Sequence, residues 1–281
     1  MKKVLVFSDT HWSLGRIHRG IAKQLKAEYE FRFIDWADWD FNYFLESYNW
    51  CDKCISNLVA YKVLKPTFGH NIDFNKFIFV SHGYPEHDDI QYEPNIVYGV
   101  TSDSLISFFP EFITPLLMPN GVDPDDFNYL PKDGTITNLG WCGAPHVLSK
   151  QINWAMEISN KSGLPLRIAN DLSYDQLKTW YNTIDLLLVT SIPQANQESG
   201  PLPPFEAIVS GVPVIGTPVG NFRNVPGPKF TTIKEAIVIL NRLRNNPDEV
   251  KQIQKLQYDY VMNNYTFEKV APYWKIALQF S

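Results

Sequence analysis

The chain has 281 residues, 44% of them hydrophobic, 14% aromatic and 20% charged, a balance that excludes disorder and leaves room for two modest domains or one large one. Its formal net charge of -5 argues against a broad electrostatic footprint on nucleic acid and confines any such contact to a local groove. No apolar run approaches the roughly 18 residues of a membrane span, and Met1-Lys2-Lys3 passes straight into a strand pattern without a signal-peptide cleavage site, so a cytoplasmic protein with no stable membrane span is expected.

The first strand pattern, 3 to 8, runs into a polar turn carrying Asp9, His11, Gly15 and Arg16. Two chemistries fit that turn. A carboxylate and an imidazole after a strand can face a shared metal, whereas a Gly-Arg pair suits an anion held at a helix N-terminus. Ile17, Ile21 and Leu25 then give one apolar helical face, with the helix opening at Ile17. Strand patterns follow at 30 to 35, 53 to 57, 76 to 81, 95 to 101 and 113 to 118, and Ser102 is placed to cap a helix over 104 to 109. This alternation predicts an α/β unit with a parallel sheet.

After the second strand, Trp36, Trp39, Phe41 and Tyr43 interleave with Asp35, Asp38 and Asp40. Aromatic faces beside carboxylates suit a sugar or a base, by stacking and hydroxyl hydrogen bonds. Core packing explains the tryptophan spacing as well, and the acidic character weighs against a phosphate backbone. The three cysteines, Cys51, Cys54 and Cys142, cannot form a disulfide framework. The Cys51-x-x-Cys54 pair straddles a strand pattern rather than a helix N-terminus, so reduced thiols are expected.

Pro119-Asn120-Gly121-Val122-Asp123-Pro124 breaks the pattern with turn formers, and Asp123, Asp125 and Asp126 belong to that turn rather than to a metal site. A second series has strands at 138 to 141, 165 to 169, 184 to 190 and 212 to 216, with helices at 149 to 161, 173 to 182 and 203 to 210. Beyond Gly220 the chain reads as helical, ending in 247 to 264 and 267 to 279, with Pro272 expected to kink or interrupt the last helix. Two doubly wound units place ligands outside their strand C-termini, so the loops after strands are where chemistry is expected.

The most informative of those loops is Glu198-Ser199-Gly200-Pro201-Leu202-Pro203-Pro204-Phe205-Glu206. A helix opens near Pro203, and its proline-rich start leaves Ser199, Gly200, Leu202 and Phe205 as the amide donors. Unpaired N–H groups and the positive end of the helix dipole meet an anion there, while two carboxylates accept hydroxyl hydrogen bonds. A ligand with a diphosphate and several hydroxyls, a nucleotide sugar, fits that combination.

Glu198 and Glu206 resemble the E-x7-E signature of the retaining GT-B glycosyltransferases of the family 4-like type. Glu206-Ala-Ile-Val-Ser-Gly-Val-Pro-Val-Ile-Gly-Thr-Pro-Val-Gly220 is similar to that family's continuation, Pro119-Asn-Gly-Val-Asp123 to its hinge segment, and Val80-Ser-His82-Gly83 to its first-domain histidine loop. The resemblance implies an α/β fold of GT-B type, two Rossmann-like doubly wound domains facing across a cleft. It implies an acceptor-binding domain over 1–119, a nucleotide-sugar-binding domain over 120–262, and a C-terminal helix over 263–281 that packs back on the first domain.

The same resemblance assigns roles. Glu206 would bind the ribose hydroxyls and Glu198 the transferred sugar, with phosphate oxygens on the amides of Ser199, Gly200 and Leu202. His82 would serve the sugar and diphosphate. Lys150, opening the helix after Gly140-Trp-Cys-Gly143, would stabilise the leaving diphosphate. Trp141 stands where the family often places a second cation; Arg16, beside Gly15, is the preferred replacement and Arg223 the other candidate. Asp9, His11, Trp36 and Trp39 become acceptor contacts. The implied reaction moves a hexose-type sugar from a nucleotide-diphosphate sugar to a hydroxyl acceptor (a glycan, lipid-linked sugar, small molecule or modified nucleobase), with retention of configuration. It would need no cofactor and no metal, because lysine, arginine and helix dipoles can neutralise the diphosphate.

Three alternatives compete with this reading. Asp9-x-His11 resembles the start of calcineurin-like metallophosphoesterases, but no Gly-Asp-x-x-Asp or Gly-Asn-His segment follows to supply the other ligands. A GT-B relative that hydrolyses or epimerises nucleotide sugars, and a non-catalytic nucleotide-sugar binding module, share the same donor motif.

Overall fold

The computed structural model describes residues 1–10, 13–193 and 198–280; His11 therefore lies outside the described residues. The chain forms two compact units, Met1–Gly121 with Phe267–Ser281, and Val122–Thr266. The first is built on a parallel sheet of β1 (Lys2–Ser8), β2 (Tyr29–Asp35), β3 (Lys53–Asn57), β4 (Phe77–Ser81), β5 (Val97–Val100) and β6 (Leu116–Leu117), in the order β2-β1-β3-β4-β5-β6. Val4–Phe7 and all of β4 are buried, which is why these strands read as unbroken apolar runs: helices cover both faces of a parallel sheet.

Between the strands run α1 (Ser13–Leu25), α2 (Phe41–Trp50) and α3 (Leu58–Phe68). Ile17, Ile21 and Leu25 bury the apolar stripe of α1. The Asp40 carboxylate caps α2 by accepting the Tyr43 N–H at 2.8 Å. Three expectations need correcting. α1 begins at Ser13, so Gly15 and Arg16 belong to its first turn rather than to a loop before Ile17. Segment 104–109 is a 3₁₀ turn, Asp103–Phe108, because Pro110 disfavours helical geometry at Phe109. The strand at 113–118 pairs only over Leu116–Leu117, since Pro115 has no N–H for a ladder.

The second unit has β7 (Leu139–Cys142), β8 (Leu166–Ala169), β9 (Leu186–Val189) and β10 (Val214–Gly216), parallel and in the order β10-β9-β7-β8. Its helices are α4 (Ile152–Ser162), α5 (Tyr174–Tyr181), α6 (Leu202–Val209), α7 (Ile233–Arg244) and α8 (Pro247–Asn264). The helix expected over 149–161 is divided. Leu148–Lys150 make a 3₁₀ turn, and Gln151 with φ 47° separates it from α4. On the edge strand β10, the buried Gln257 of α8 accepts the Val214 N–H at 2.9 Å and donates to its carbonyl at 2.7 Å, so a side chain occupies the exposed ladder.

The last helix, α9 (Phe267–Gln279), belongs to the first unit. It packs on α1 at Gly20, where a Cβ would stand 2.3 Å from the Phe267 ring, and the Trp274 indole N–H donates to the Pro119 carbonyl at 2.9 Å. α9 runs through Pro272 without interruption. Pro272 lies on its exposed face, where water replaces the missing hydrogen bond to the Glu268 carbonyl. No described helix is long and apolar enough to cross a membrane.

Candidate functional site

In the second unit the loops after β7, β9 and β10 converge on the start of α6. The Lys150 ammonium lies 2.7 Å from the Glu198 carboxylate, with side chains 21% and 15% exposed. Thr190, just after β9, holds the lysine's backbone: its hydroxyl donates to the carbonyls of Lys150 and Gln151 at 2.8 and 3.0 Å and accepts from the Trp141 indole N–H at 3.0 Å. Trp141 thus fastens the turn that carries Lys150. The lysine stem packs on Gly143, where a Cβ would stand 2.9 Å from Lys150 Cδ. Together Trp141, Cys142, Lys150, Glu198, Pro201, Pro203 and Pro204 line a concavity at these strand ends.

Glu206 sits in the second turn of α6 and is 2% exposed. The Tyr181 hydroxyl, at the end of α5, donates to its Oε2 at 2.8 Å. Burial, first of all, pushes the Tyr181 phenol well above its ordinary value, so it remains a donor. Ser199 and Gly200 are backed by the turn after β10: the Asn221 N–H donates to the Ser199 carbonyl at 2.9 Å. Gly220 has φ +42°, and a Cβ on it would stand 2.0 Å from that same oxygen, so only glycine fits there. Leu202 opens α6, and Arg223 is exposed in the 3₁₀ turn Gly220–Asn224. The structure brings Glu198, Lys150, Ser199, Gly200, Leu202 and Glu206 together around one helix start. Two carboxylates can accept hydroxyls there, and a lysine and the amides of a helix start can face an anion.

In the first unit, Gly15 packs so tightly that a Cβ would stand 2.3 Å from the Thr10 carbonyl oxygen. Thr10 is itself fixed by Asp35, which accepts its N–H at 2.8 Å and its hydroxyl at 2.7 Å. Asp35 therefore fixes Thr10, the residue against which Gly15 packs. Asp9 follows β1 and is half-buried. His82 follows β4, and its backbone N–H donates to Glu86 at 2.7 Å. Burial lowers its imidazole to about 4, and burial together with His82 and Arg19 lowers His18 to about 3, so both rings are neutral near pH 7. Trp39 lies edge-on to Phe7 and Phe44 at 5.5 and 5.4 Å, and Trp36 packs on the same core. Core contacts thus engage both tryptophans, and the exposed members of that segment are Asp38, Asp40, Phe41 and Tyr43.

Tyr181, Thr190 and Gln151 were not singled out by sequence reasoning. Tyr181 and Thr190 sit where an apolar pattern ends, which is a weak local signal, and their partners are distant in sequence. Among the described residues no three His, Cys, Asp or Glu side chains are grouped to hold a metal. Cys51 and Cys54 are free and buried, and burial pushes both thiols up, as expected for inert core residues.

The sequence matches no protein-family model and no curated protein. Its fold matches solved structures over nearly the full chain. HepE from Anabaena, in complex with UDP-glucose, superposes with a TM-score of 0.70 at 12% identity, covering 99% of each chain. WaaG, a glycosyltransferase involved in lipopolysaccharide biosynthesis, gives 0.61 at 13% identity over 100% of each. An alpha-glucosyltransferase in complex with UDP-glucose and DNA containing an abasic site gives 0.70 at 10% identity over 99% of each. The chain therefore has the α/β fold of GT-B glycosyltransferases, with two parallel sheets of six and four strands.

Proposed function

We propose that this chain is a retaining glycosyltransferase that moves a hexose-type sugar from a nucleotide-diphosphate sugar to a hydroxyl acceptor. The observation that carries this reading is the Glu198–Lys150 pair at 2.7 Å beside Glu206, which is buried and held by Tyr181, at the start of one helix. Lys150 is tethered by its partner until a diphosphate competes for it. The Ser199, Gly200 and Leu202 amides, at the helix start, are assigned to the phosphate oxygens. Glu206, rigid and inside the fold, suits ribose hydroxyls, and Glu198 suits the sugar. HepE and the alpha-glucosyltransferase are complexed with UDP-glucose, which favours a uridine diphosphate donor.

In the proposed reaction the C–O bond to the diphosphate breaks, and the acceptor oxygen forms its bond on the same face of an oxocarbenium-like centre. The departing phosphate takes the acceptor's proton. Lys150 and the amides stabilise the charge that develops on the leaving group, so positioning and electrostatics carry the rate. The second unit is assigned the donor and the first the acceptor. Arg16 and His82, both in the first unit, are assigned to the diphosphate and the sugar, and Asp9 to the acceptor.

The test is thermal unfolding with UDP-, GDP-, ADP- and dTDP-sugars, because a ligand of the native state raises the melting temperature by mass action. A rise with one base family, lost in Glu206→Ala, is expected. No shift with any of them sinks the donor assignment. Release of free sugar without acceptor would make the chain a hydrolase, and binding without turnover a carrier.

A further inference from the structure

The segment that leaves β9 holds the Lys150 turn at three places. The Thr190 hydroxyl meets the carbonyls of Lys150 and Gln151 at 2.8 and 3.0 Å. The Ile192 N–H donates to the Ser149 carbonyl at 2.8 Å. Farther along, the Glu198 carboxylate takes the lysine's ammonium at 2.7 Å. The segment is itself anchored from beyond β10, where the Thr217 N–H donates to the Val189 carbonyl at 2.9 Å and the Thr217 hydroxyl to the Ser191 carbonyl at 2.5 Å. Two of the three holds are on backbone, and only the third is on charge.

The turn needs support from outside. Gln151 has φ 47° and ψ 55°, a left-handed backbone that a residue with a Cβ disfavours. The ladder of α4 therefore does not run back through it to stiffen the 3₁₀ turn Leu148–Lys150. Thr190 joins the two pieces, because the Gln151 carbonyl it contacts also accepts the Trp154 N–H, at 3.0 Å, in the first turn of α4. The chemistry of the groups orders these bonds. An indole N–H only donates, so Trp141 occupies a lone pair of the Thr190 oxygen at 3.0 Å and leaves the single hydroxyl proton for the two carbonyls to share. Trp141 and Thr190 are 2% and 1% exposed, so water does not compete for any of these bonds.

We infer that Thr190, oriented by Trp141, is a positioning residue for Lys150: it keeps the lysine's backbone in place when the ammonium leaves Glu198 for the diphosphate of a bound nucleotide sugar. The hold on the backbone stands on geometry; its consequence for turnover rests on the proposed function. In that exchange one ionic contact replaces another and no backbone bond has to break. Lys150 then meets the charge developing on the leaving group without first ordering its own turn. Trp141 serves the cation through its N–H and carries no charge of its own.

Three substitutions in the full chain separate the groups. Thr190→Val keeps the branched shape and deletes the hydroxyl, Thr190→Ser keeps the hydroxyl and deletes the methyl, and Trp141→Phe deletes the indole donor. Each is assayed with the nucleotide sugar that raises the melting temperature. In Thr190→Val, kcat should fall roughly 10-fold while donor Kd changes less than about 3-fold, because a misplaced lysine loses most where charge develops. Thr190→Ser should recover kcat to within about 2-fold of wild type, with Trp141→Phe between the two. A purely structural role would lower the melting temperature of Thr190→Val without that split.

The Lys150 ammonium, assigned by the loss of its ¹⁵N–¹H signal in Lys150→Ala, reads the hold without turnover. The signal should persist in wild type and Thr190→Ser, where a paired, half-buried ammonium exchanges slowly with water, and broaden in Thr190→Val. Wild-type kcat in Thr190→Val, a Thr190→Ser enzyme as slow as Thr190→Val, or a Lys150 signal equally sharp in every chain overturns the inference. Should Thr190→Val not fold, Trp141→Phe decides by the same split and the same signal. Should the wild-type chain turn over no nucleotide sugar, the proposed function fails, while the ammonium signal still decides whether Thr190 holds the lysine.

Discussion

The two sheets handle polar groups at their strand ends in opposite ways. After β1 and β4 the first unit carries His18, His82 and His87, all held neutral by burial, and a Glu86 carboxyl raised to about 7. Around α6 the second unit carries a lysine and a glutamate 2.7 Å apart and a second glutamate with a buried tyrosine donor. Burial without an opposite charge removes ionisation, whereas burial with a partner preserves it. The first set can be rearranged by a proton; in the second, each carboxylate already has a donor within the fold.

Breaking the second set should have the largest effect. Lys150→Ala removes the only cation in the Glu198 pair and leaves that carboxylate half-buried beside where a diphosphate would bind. Turnover should fall by about 10²–10³, the usual loss for one group that stabilises developing charge, measured as initial rates with whichever donor raises the melting temperature. Lys150→Arg should recover little of it, because the turn was built around a lysine stem packed on Gly143. A rate for Lys150→Ala within twofold of wild type would mean that the ion pair is structural only.

The first set is tested through acid stability, where an effect of a few kcal/mol is expected. The His18 imidazole drops from 6.5 to about 3 on folding. A base lowered in this way contributes stability that is complete above about pH 6.5 and is lost as pH falls toward 3, because the unfolded chain takes up the proton first. Glu86 works in the other sense: raised from 4.5 to about 7, it contributes below 4.5 and loses that contribution as pH rises through 7. Histidine dominates below neutrality. Neither ring nitrogen of His18 has a hydrogen-bond partner among the described residues, and its ring lies edge-on to Trp274 at 5.6 Å. His18→Phe keeps that contact and removes the proton acceptor. Urea unfolding at about pH 7 and about pH 4.5 should show the wild-type stability gap shrinking by roughly 2–3 kcal/mol in the variant; an unchanged gap would place the acid sensitivity elsewhere.

Legibility in the sequence follows how local each feature is. Glu198 and Glu206 flank a single helix start, so their spacing alone brings both carboxylates to one end of α6. Buried strands such as β4 announce themselves as apolar runs. Lys150 was legible as a residue but not as a geometry, because the positive φ of Gln151 and the Thr190 hydroxyl 40 positions away decide how its turn is held. The start of α1 was placed late because the apolar stripe begins at Ile17, while the turn before it is stabilised by Gly15 packing on Thr10, a contact with no periodicity. His87 lies in Tyr-Pro-Glu-His-Asp-Asp, and its partners, Ser81 and Tyr92, become visible only when the turn closes on β4.

Tyr181→Phe is the gentlest test of the second set. The ring is fully buried and its hydroxyl donates to Glu206 at 2.8 Å, so the variant keeps the packing and deletes one oxygen. A hydrogen bond to a carboxylate contributes about 1–2 kcal/mol net, and the variant's melting temperature should move by only a few degrees. If Glu206 reads the ribose, what Tyr181 supplies is orientation, and looser orientation weakens ground state and transition state alike. Donor Kd should therefore rise roughly 3- to 10-fold while kcat at saturation stays near wild type. A fall in kcat with Kd unchanged would move Glu206 from binding the nucleotide to acting on the reacting sugar, and would exchange the roles assigned to the two glutamates.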